Sequence, residues 1–138
     1  PDNYIILYDI ISKEEQQKKF KKADSMLEQI SRVIDNKEKG IYLINKGTMP
    51  NFLTNVVHKY YTFGRNTKKF YAEDTCIGCG KCEKICPVNA IHMVNKKPEW
   101  KGKCTQCLGC IHRCPVRAIQ YGEKTKQRTR YTNPHVKL

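Results

Sequence analysis

A run of four cysteines and a proline occurs twice in this chain, and it limits the fold more than any other feature. The first copy is Cys76, Cys79, Cys82, Cys86 and Pro87; the second is Cys104, Cys107, Cys110, Cys114 and Pro115. Both read C-x2-C-x2-C-x3-C-P, and together they use all 8 cysteines. CIGCGKCEKICPVNAI (76–91) lies over CTQCLGCIHRCPVRAI (104–119) without a gap, and half of the aligned positions are identical. Such a repeat implies two equivalent half-units, each too small to bury a core alone. Packed about a pseudo-two-fold axis, the halves would share one interior.

The spacing suits a cubane iron–sulfur cluster, which needs four thiolates at the corners of a tetrahedron. Three cysteines at x2 spacing let a tight loop cover three corners. The fourth precedes a proline, and the sequence predicts that helices start at Pro87 and Pro115, because the missing N–H of a first-turn proline has no intrahelical partner to lose. A helix start points the fourth thiolate away from its own loop, and in two-cluster proteins that cysteine ligates the other cluster. The expected sets are therefore Cys76, Cys79, Cys82 and Cys114 for one cluster, and Cys104, Cys107, Cys110 and Cys86 for the other. Gly78, Gly80 and Gly109 lie between ligands, where a missing side chain lets backbone N–H groups approach sulfur.

Two other uses of cysteine fit less well. Structural zinc also takes C-x2-C, but a zinc ribbon pairs two knuckles across a long gap and leaves the third and fourth cysteines of each run unused. A disulfide framework needs an oxidising compartment, and no signal peptide is visible.

Residues 70–123 resemble the bacterial two-cluster ferredoxin family, with eight ligands and two prolines in register. The resemblance implies an α+β fold of ferredoxin-like βαβ repeats about a pseudo-two-fold axis, here with an N-terminal helical extension. The chain is then expected to divide into residues 1–69 (an extended segment and two helices), the cluster domain 70–123, and a basic tail 124–138.

Composition adds a charge. The 138 residues carry a formal net charge of +13, which favours an acidic redox partner steered by electrostatics; nucleic acid is the rival partner and is disfavoured. No run of about 18 apolar residues is present, so no membrane span is expected. Oxygen-labile clusters without an export signal point to the cytoplasm.

Taken in order, Tyr4 to Tyr8 is an unbroken apolar run, expected to be extended and at least half buried. Ser12 and Glu15 form a capping box for a helix over 13–39, with Phe20, Ala23, Met26, Leu27, Ile30, Val33 and Ile34 at helical spacing and Gly40 as a stop. Residues 41–47 read as a short apolar turn or strand. A second helix begins around Pro50 and ends at Gly64, with a stripe of Phe52, Leu53, Val56, Val57, Tyr60 and Tyr61. Phe70–Ala72 is expected to pair with 118–121 and Ile91–Val94 to lead into a turn at Asn95–Pro98. Tyr71 and Tyr121 stand where each would either screen a cluster from water or simply pack in the sheet. His58, His92 and His112 are not needed as ligands. The tail holds five basic and no acidic residues over 124–138, and is expected to wrap the cluster domain; Tyr131 alone is thin for a base-stacking platform.

Beyond the cysteines, PDNY at the start, the SKEEQ helix, KKFY, CTQCLGCIHRCPVRAIQYG and RYTNP are similar to the C-terminal part of fusion proteins of anaerobic bacteria. Those join a flavodoxin-like half to a two-cluster ferredoxin half. The resemblance implies that residue 1 is not the biological start and that an FMN site lies in a missing upstream domain. It also implies that the 13–39 helix packs on that domain, or pairs two copies of the fragment.

The expected function is one-electron transfer through two 4Fe-4S clusters, with Lys81, Lys84, Arg113 and Arg117 as a docking face. The alternatives are a nucleic-acid-binding protein with structural or sensing clusters, and the cluster subunit of a larger oxidoreductase. No nucleophile–base pair and no open metal site suggest catalysis by this chain itself.

Overall fold

The computed structural model describes residues 3–40, 44 and 47–136. Two compact units are present: one covers residues 11–61, and the other joins residues 2–10 to 62–138.

The first unit is helical. Helix α1 is Lys13–Asp35, and its start is the capping box expected from Ser12 and Glu15: the Glu15 amide donates to Ser12 Oγ at 3.2 Å and the Ser12 amide to Glu15 Oε2 at 3.2 Å. The helix stops four residues short of 39. Asn36 caps it, and Lys37 turns left-handed with φ +51°, so the chain leaves the helix before Gly40. Helix α2 is Pro50–Gly64, with proline in its first turn. Neither helix has a buried residue. The expected turn or strand at 41–47 falls largely outside the described residues.

The second unit holds both cysteine runs. Strand β1 (Phe70–Ala72) pairs antiparallel with the last strand, Ile119–Tyr121, in the register Phe70 to Tyr121 and Ala72 to Ile119. Strands β2 (Ile91–Val94) and β3 (Lys97–Trp100) form a hairpin, with Ile91 opposite Trp100. Its turn is tighter than the expected Asn95–Pro98. Asn95 and Lys96 alone make it, both left-handed at φ +50° and +62°, the geometry that matches strand twist. Pro98 sits inside β3, where a two-stranded sheet leaves an edge for a residue that cannot donate.

The expected helices at Pro87 and Pro115 do not form. Instead α3 (Lys81–Lys84) and α4 (Gly109–His112) lie earlier, each around the third cysteine of its run. Each opens from a left-handed residue, Gly80 at φ +71° and Leu108 at φ +58°. Each closes before the fourth cysteine because a residue ahead of proline is pushed out of the helical region. With this, Ile119–Tyr121 becomes β4, and a 3-10 turn, η1 (Lys124–Lys126), follows it.

The core is small: Ile5, Phe70, Cys82, Ile91, Leu108, Ile111 and Ile119 are buried together. Ile5 corrects the reading of the opening run as extended. The amides of Leu7 and Tyr8 both donate to the Tyr4 carbonyl, at 3.1 and 3.2 Å, so residues 4–8 form a turn. Ile5 is fully buried, whereas Leu7 and Tyr8 face solvent.

The tail closes over this turn. Arg128 Nη1 donates to the carbonyls of Ile5 (2.7 Å) and Tyr8 (3.0 Å), and Arg130 donates to the Thr125 carbonyl and to Gln120 Oε1, both at 2.8 Å. Thr125, fully buried, receives the Tyr121 amide at 2.8 Å. The tail wraps the cysteine unit through Tyr131.

Candidate iron–sulfur centre

The two runs meet around two cavities. One is lined by Cys76, Cys79, Cys82 and Cys114, with Ile77, Met93, Val116 and Ile119 among its walls. The other is lined by Cys86, Cys104, Cys107 and Cys110, with Phe70, Ile91, Trp100 and Leu108 among its walls. Each cavity thus takes three cysteines from one run and the fourth from the other. The cavities are alike in volume, ≈ 20 Å³ each.

Local structure places each sulfur. Glu83 Oε1 accepts the Met93 amide at 2.9 Å and so ties α3 to the hairpin. The Cys104 amide donates to the Arg65 carbonyl at 2.8 Å, fixing the start of the second loop. Gly78 is needed where it stands. It has φ +66°, and a Cβ there would lie 2.8 Å from both the Cβ and the carbonyl oxygen of Lys96, so the loop and the hairpin turn touch only because the side chain is missing.

The residue types fit a 4Fe-4S cluster. Burial pushes the thiols of Cys82 and Cys104 up, and that of Cys110 up to about 12. Holding such groups as thiolates calls for a cationic centre in the cavity. Among the described residues, no three His, Cys, Asp or Glu side chains gather as a single metal ion would need. A cubane makes a different demand, since its four thiolates attach to four separate irons. Backbone amides also reach sulfur: Ala90 donates to Cys86 Sγ and Gln106 to Cys104 Sγ, each at 3.2 Å. Such bonds stabilise thiolate charge and help set a potential.

The sequence leaves Tyr71 and Tyr121 either screening a cluster or packing in the sheet, and the structure places both in the β1–β4 pair. Tyr71 and Tyr121 line neither cavity. Tyr71 donates to Glu123 Oε1 at 3.2 Å, and Tyr121 packs edge-on against Phe70 with ring centroids 4.8 Å apart. Strand alternation explains Tyr71, because Phe70 and Tyr71 face opposite sides of β1, whereas Tyr121 lies opposite Phe70 on the same face and packs on its ring. The aromatic walls are Phe70 and Trp100, stacked at 5.8 Å. The even spacing of Phe70 and Ala72 ahead of Cys76 is the signal in the sequence that points to Phe70.

Of the histidines, His92 is exposed, while His112 is buried and bonded on both nitrogens. Nδ1 accepts the Tyr131 amide at 3.1 Å, so Nε2 carries the proton and donates to the Asn3 carbonyl at 2.8 Å. Burial first, then Arg130 and Arg113, hold its pKa below the usual value against the opposing Asn3 bond. Lys81 and Arg113 line a solvent-open groove with Cys114 and Asn133.

Comparison with known proteins agrees with this chemistry. Residues 70–92 and 101–122 each match a family described as a 4Fe-4S binding domain. With the eight cysteines, these two domains provide for two 4Fe-4S clusters. The chain is also similar to a subunit of an ion-translocating oxidoreductase complex from Methanosarcina acetivorans, 42% identical over 53 residues. That match takes in 38% of this chain and 20% of the relative, so the chain spans about a fifth of the relative's length. Among the described residues, no helix is long and apolar enough to cross a membrane.

Proposed function

We propose that this chain is an electron-transfer protein that carries one electron on each of two 4Fe-4S clusters. Cys76, Cys79, Cys82 and Cys114 hold one, and Cys86, Cys104, Cys107 and Cys110 the other. The observation that carries this reading is the composition of the two cavities: four cysteines each, drawn three and one from the two runs. When bound, the clusters supply single-electron exchange without bond making. The protein's own residues hold the thiolates and keep water out with Phe70, Trp100, Met93 and their neighbours. Ala90 and Gln106 direct amides at ligand sulfur.

The near-equal cavities support treating 70–123 as two halves of a pseudo-two-fold ferredoxin domain, with 1–69 an attached extension and 124–138 a tail. An acidic redox partner suits the +13 charge, with Lys81, Lys84, Arg113 and Arg117 as its docking face and a flavodoxin-like domain in cis as the specific candidate. The matched relative belongs to an oxidoreductase complex, which favours a second form of the same reading: the chain relays electrons inside a larger oxidoreductase. A nucleic-acid role has less support, because Arg128 and Arg130 are engaged with the protein's own carbonyls.

Anaerobic iron and sulfide analysis with EPR of the dithionite-reduced protein tests the proposal. About eight irons and eight sulfides per chain, with the broadened signal of two interacting reduced clusters, are expected. Zinc without sulfide would overturn it.

A further inference from the structure

Two buried polar groups beside the same cavity lack partners among the described residues: the hydroxyl of Thr105 and the indole N–H of Trp100. Both residues line the cavity of Cys86, Cys104, Cys107 and Cys110. We propose that Thr105 and Trp100 donate hydrogen bonds to sulfur of the cluster held in that cavity and thereby raise its reduction potential above what the cysteines alone would set. The inference rests on the electron-carrier reading above.

Leaving a buried donor unpaired is costly, so two beside one cavity call for an acceptor nearby. The four cysteines that line the cavity supply such acceptors, as cysteinate sulfur and with the sulfide of a bound cluster. Hydrogen bonds to sulfur stabilise the extra negative charge of the reduced state more than the oxidised state, which shifts the potential upward.

The repeat makes the assignment specific to one site. Counting from the first cysteine of each run, Thr105 falls at the position of Ile77. Ile77 lines the other cavity and has no side-chain donor. Trp100 is the only tryptophan of the chain, so the other cavity has no indole either. The two sites share their cysteine geometry and differ in these donors. Lys81 is the one charged residue among the lining residues of either cavity, and it lies at the other site. Lys81 is exposed, so salt weakens its influence, whereas the Thr105 and Trp100 donors are buried and keep theirs.

The test uses the full chain with its clusters, prepared anaerobically. A redox titration followed by the paramagnetically shifted cysteine β-proton resonances reads each cluster separately. Contacts to Trp100 and Phe70 identify one set of resonances, and contacts to Met93 the other. Thr105→Val is expected to lower the reduced-to-oxidised ratio of the first cluster about threefold to tenfold at fixed potential. A tenfold change is about 59 mV for a one-electron couple. Trp100→Phe should act in the same direction, Thr105→Ser should restore the original value, and the second cluster should stay put. Electron–nuclear double resonance gives an independent reading, an exchangeable proton coupled to the first cluster in the unaltered protein that is missing in Thr105→Val, beyond those of the Ala90 and Gln106 amides. Clusters present with no such proton, or with both potentials unmoved or moved equally by Thr105→Val, would overturn the inference and leave the carrier reading standing. A wild-type chain without iron and sulfide would overturn both.

Discussion

Arg128 Nη1 lies 2.7 Å from the carbonyl oxygen of Ile5, and this bond joins the tail of the cysteine unit to its opening turn. The same nitrogen also reaches the Tyr8 carbonyl at 3.0 Å. Hydrogen bonds to a charged group contribute about 1.5–3 kcal/mol. Arg128→Ala is therefore expected to lower stability by about 1–3 kcal/mol and to speed amide hydrogen exchange at Leu7 and Tyr8 more than in the β2–β3 hairpin. Uniform acceleration across the unit would show that the contact is not local.

Gly78 and Gly102 separate two effects of a side chain at positive φ. Both are left-handed, at φ +66° and +78°, but a Cβ on Gly102 meets nothing within 4 Å. Gly102→Ala should cost about 1–2 kcal/mol, the backbone penalty alone. Gly78→Ala adds a clash with Lys96 and should cost more, with faster iron loss on chelator challenge. Equal melting shifts for the two would contradict the close approach of the loop and the hairpin turn.

Ile111 is fully buried in the core, whereas Leu27 on α1 is 60% exposed. Ile111→Ala is expected to destabilise the cysteine unit by about 2–5 kcal/mol. Leu27→Ala in the isolated chain should fall within about 0.5 kcal/mol. Denaturant unfolding of the two variants checks the contrast.

Glu123 is exposed and sits 2.9 Å from Lys126. The Lys126 hydrogen bond and charge, with a smaller part from the Tyr71 hydroxyl, hold its carboxyl below the usual carboxylate value. A depressed folded pKa means that the contact is fully present above the ordinary carboxylate range and is lost as pH falls through the lowered midpoint. An NMR titration of the Glu123 side chain should show that lowered midpoint, and Lys126→Ala should return most of it to the ordinary value. An unchanged midpoint in Lys126→Ala would rule out Lys126 as the cause.

The legible part of the sequence is the part governed by short-range chemistry. The Ser12–Glu15 box, the 70–72 and 119–121 pairing and the cysteine register each depend on residue types at fixed spacing. The short helices depart from their expected places because two effects of Pro87 compete. It makes a good first helical residue, but its restriction of Cys86, the residue before it, is the stronger effect. The Tyr4–Tyr8 run reads as extended by composition. What bends it is a set of long-range partners, Gln106 to the Tyr4 hydroxyl at 2.7 Å and Arg128 to Ile5, which no local pattern announces. The cavity walls are hidden for a similar reason, since Trp100 reaches its place only through the hairpin and through stacking on Phe70.

The central claim, that crossed sets of cysteines hold two clusters, is tested most directly by iron and sulfide analysis of two double variants made anaerobically. Cys76→Ser with Cys114→Ser removes two ligands from one proposed set and should leave about four irons and four sulfides. Cys76→Ser with Cys86→Ser removes one from each set and should lose both clusters. The reverse pattern, with iron kept by the second pair and lost by the first, would contradict the crossed arrangement and assign each cluster to its own run.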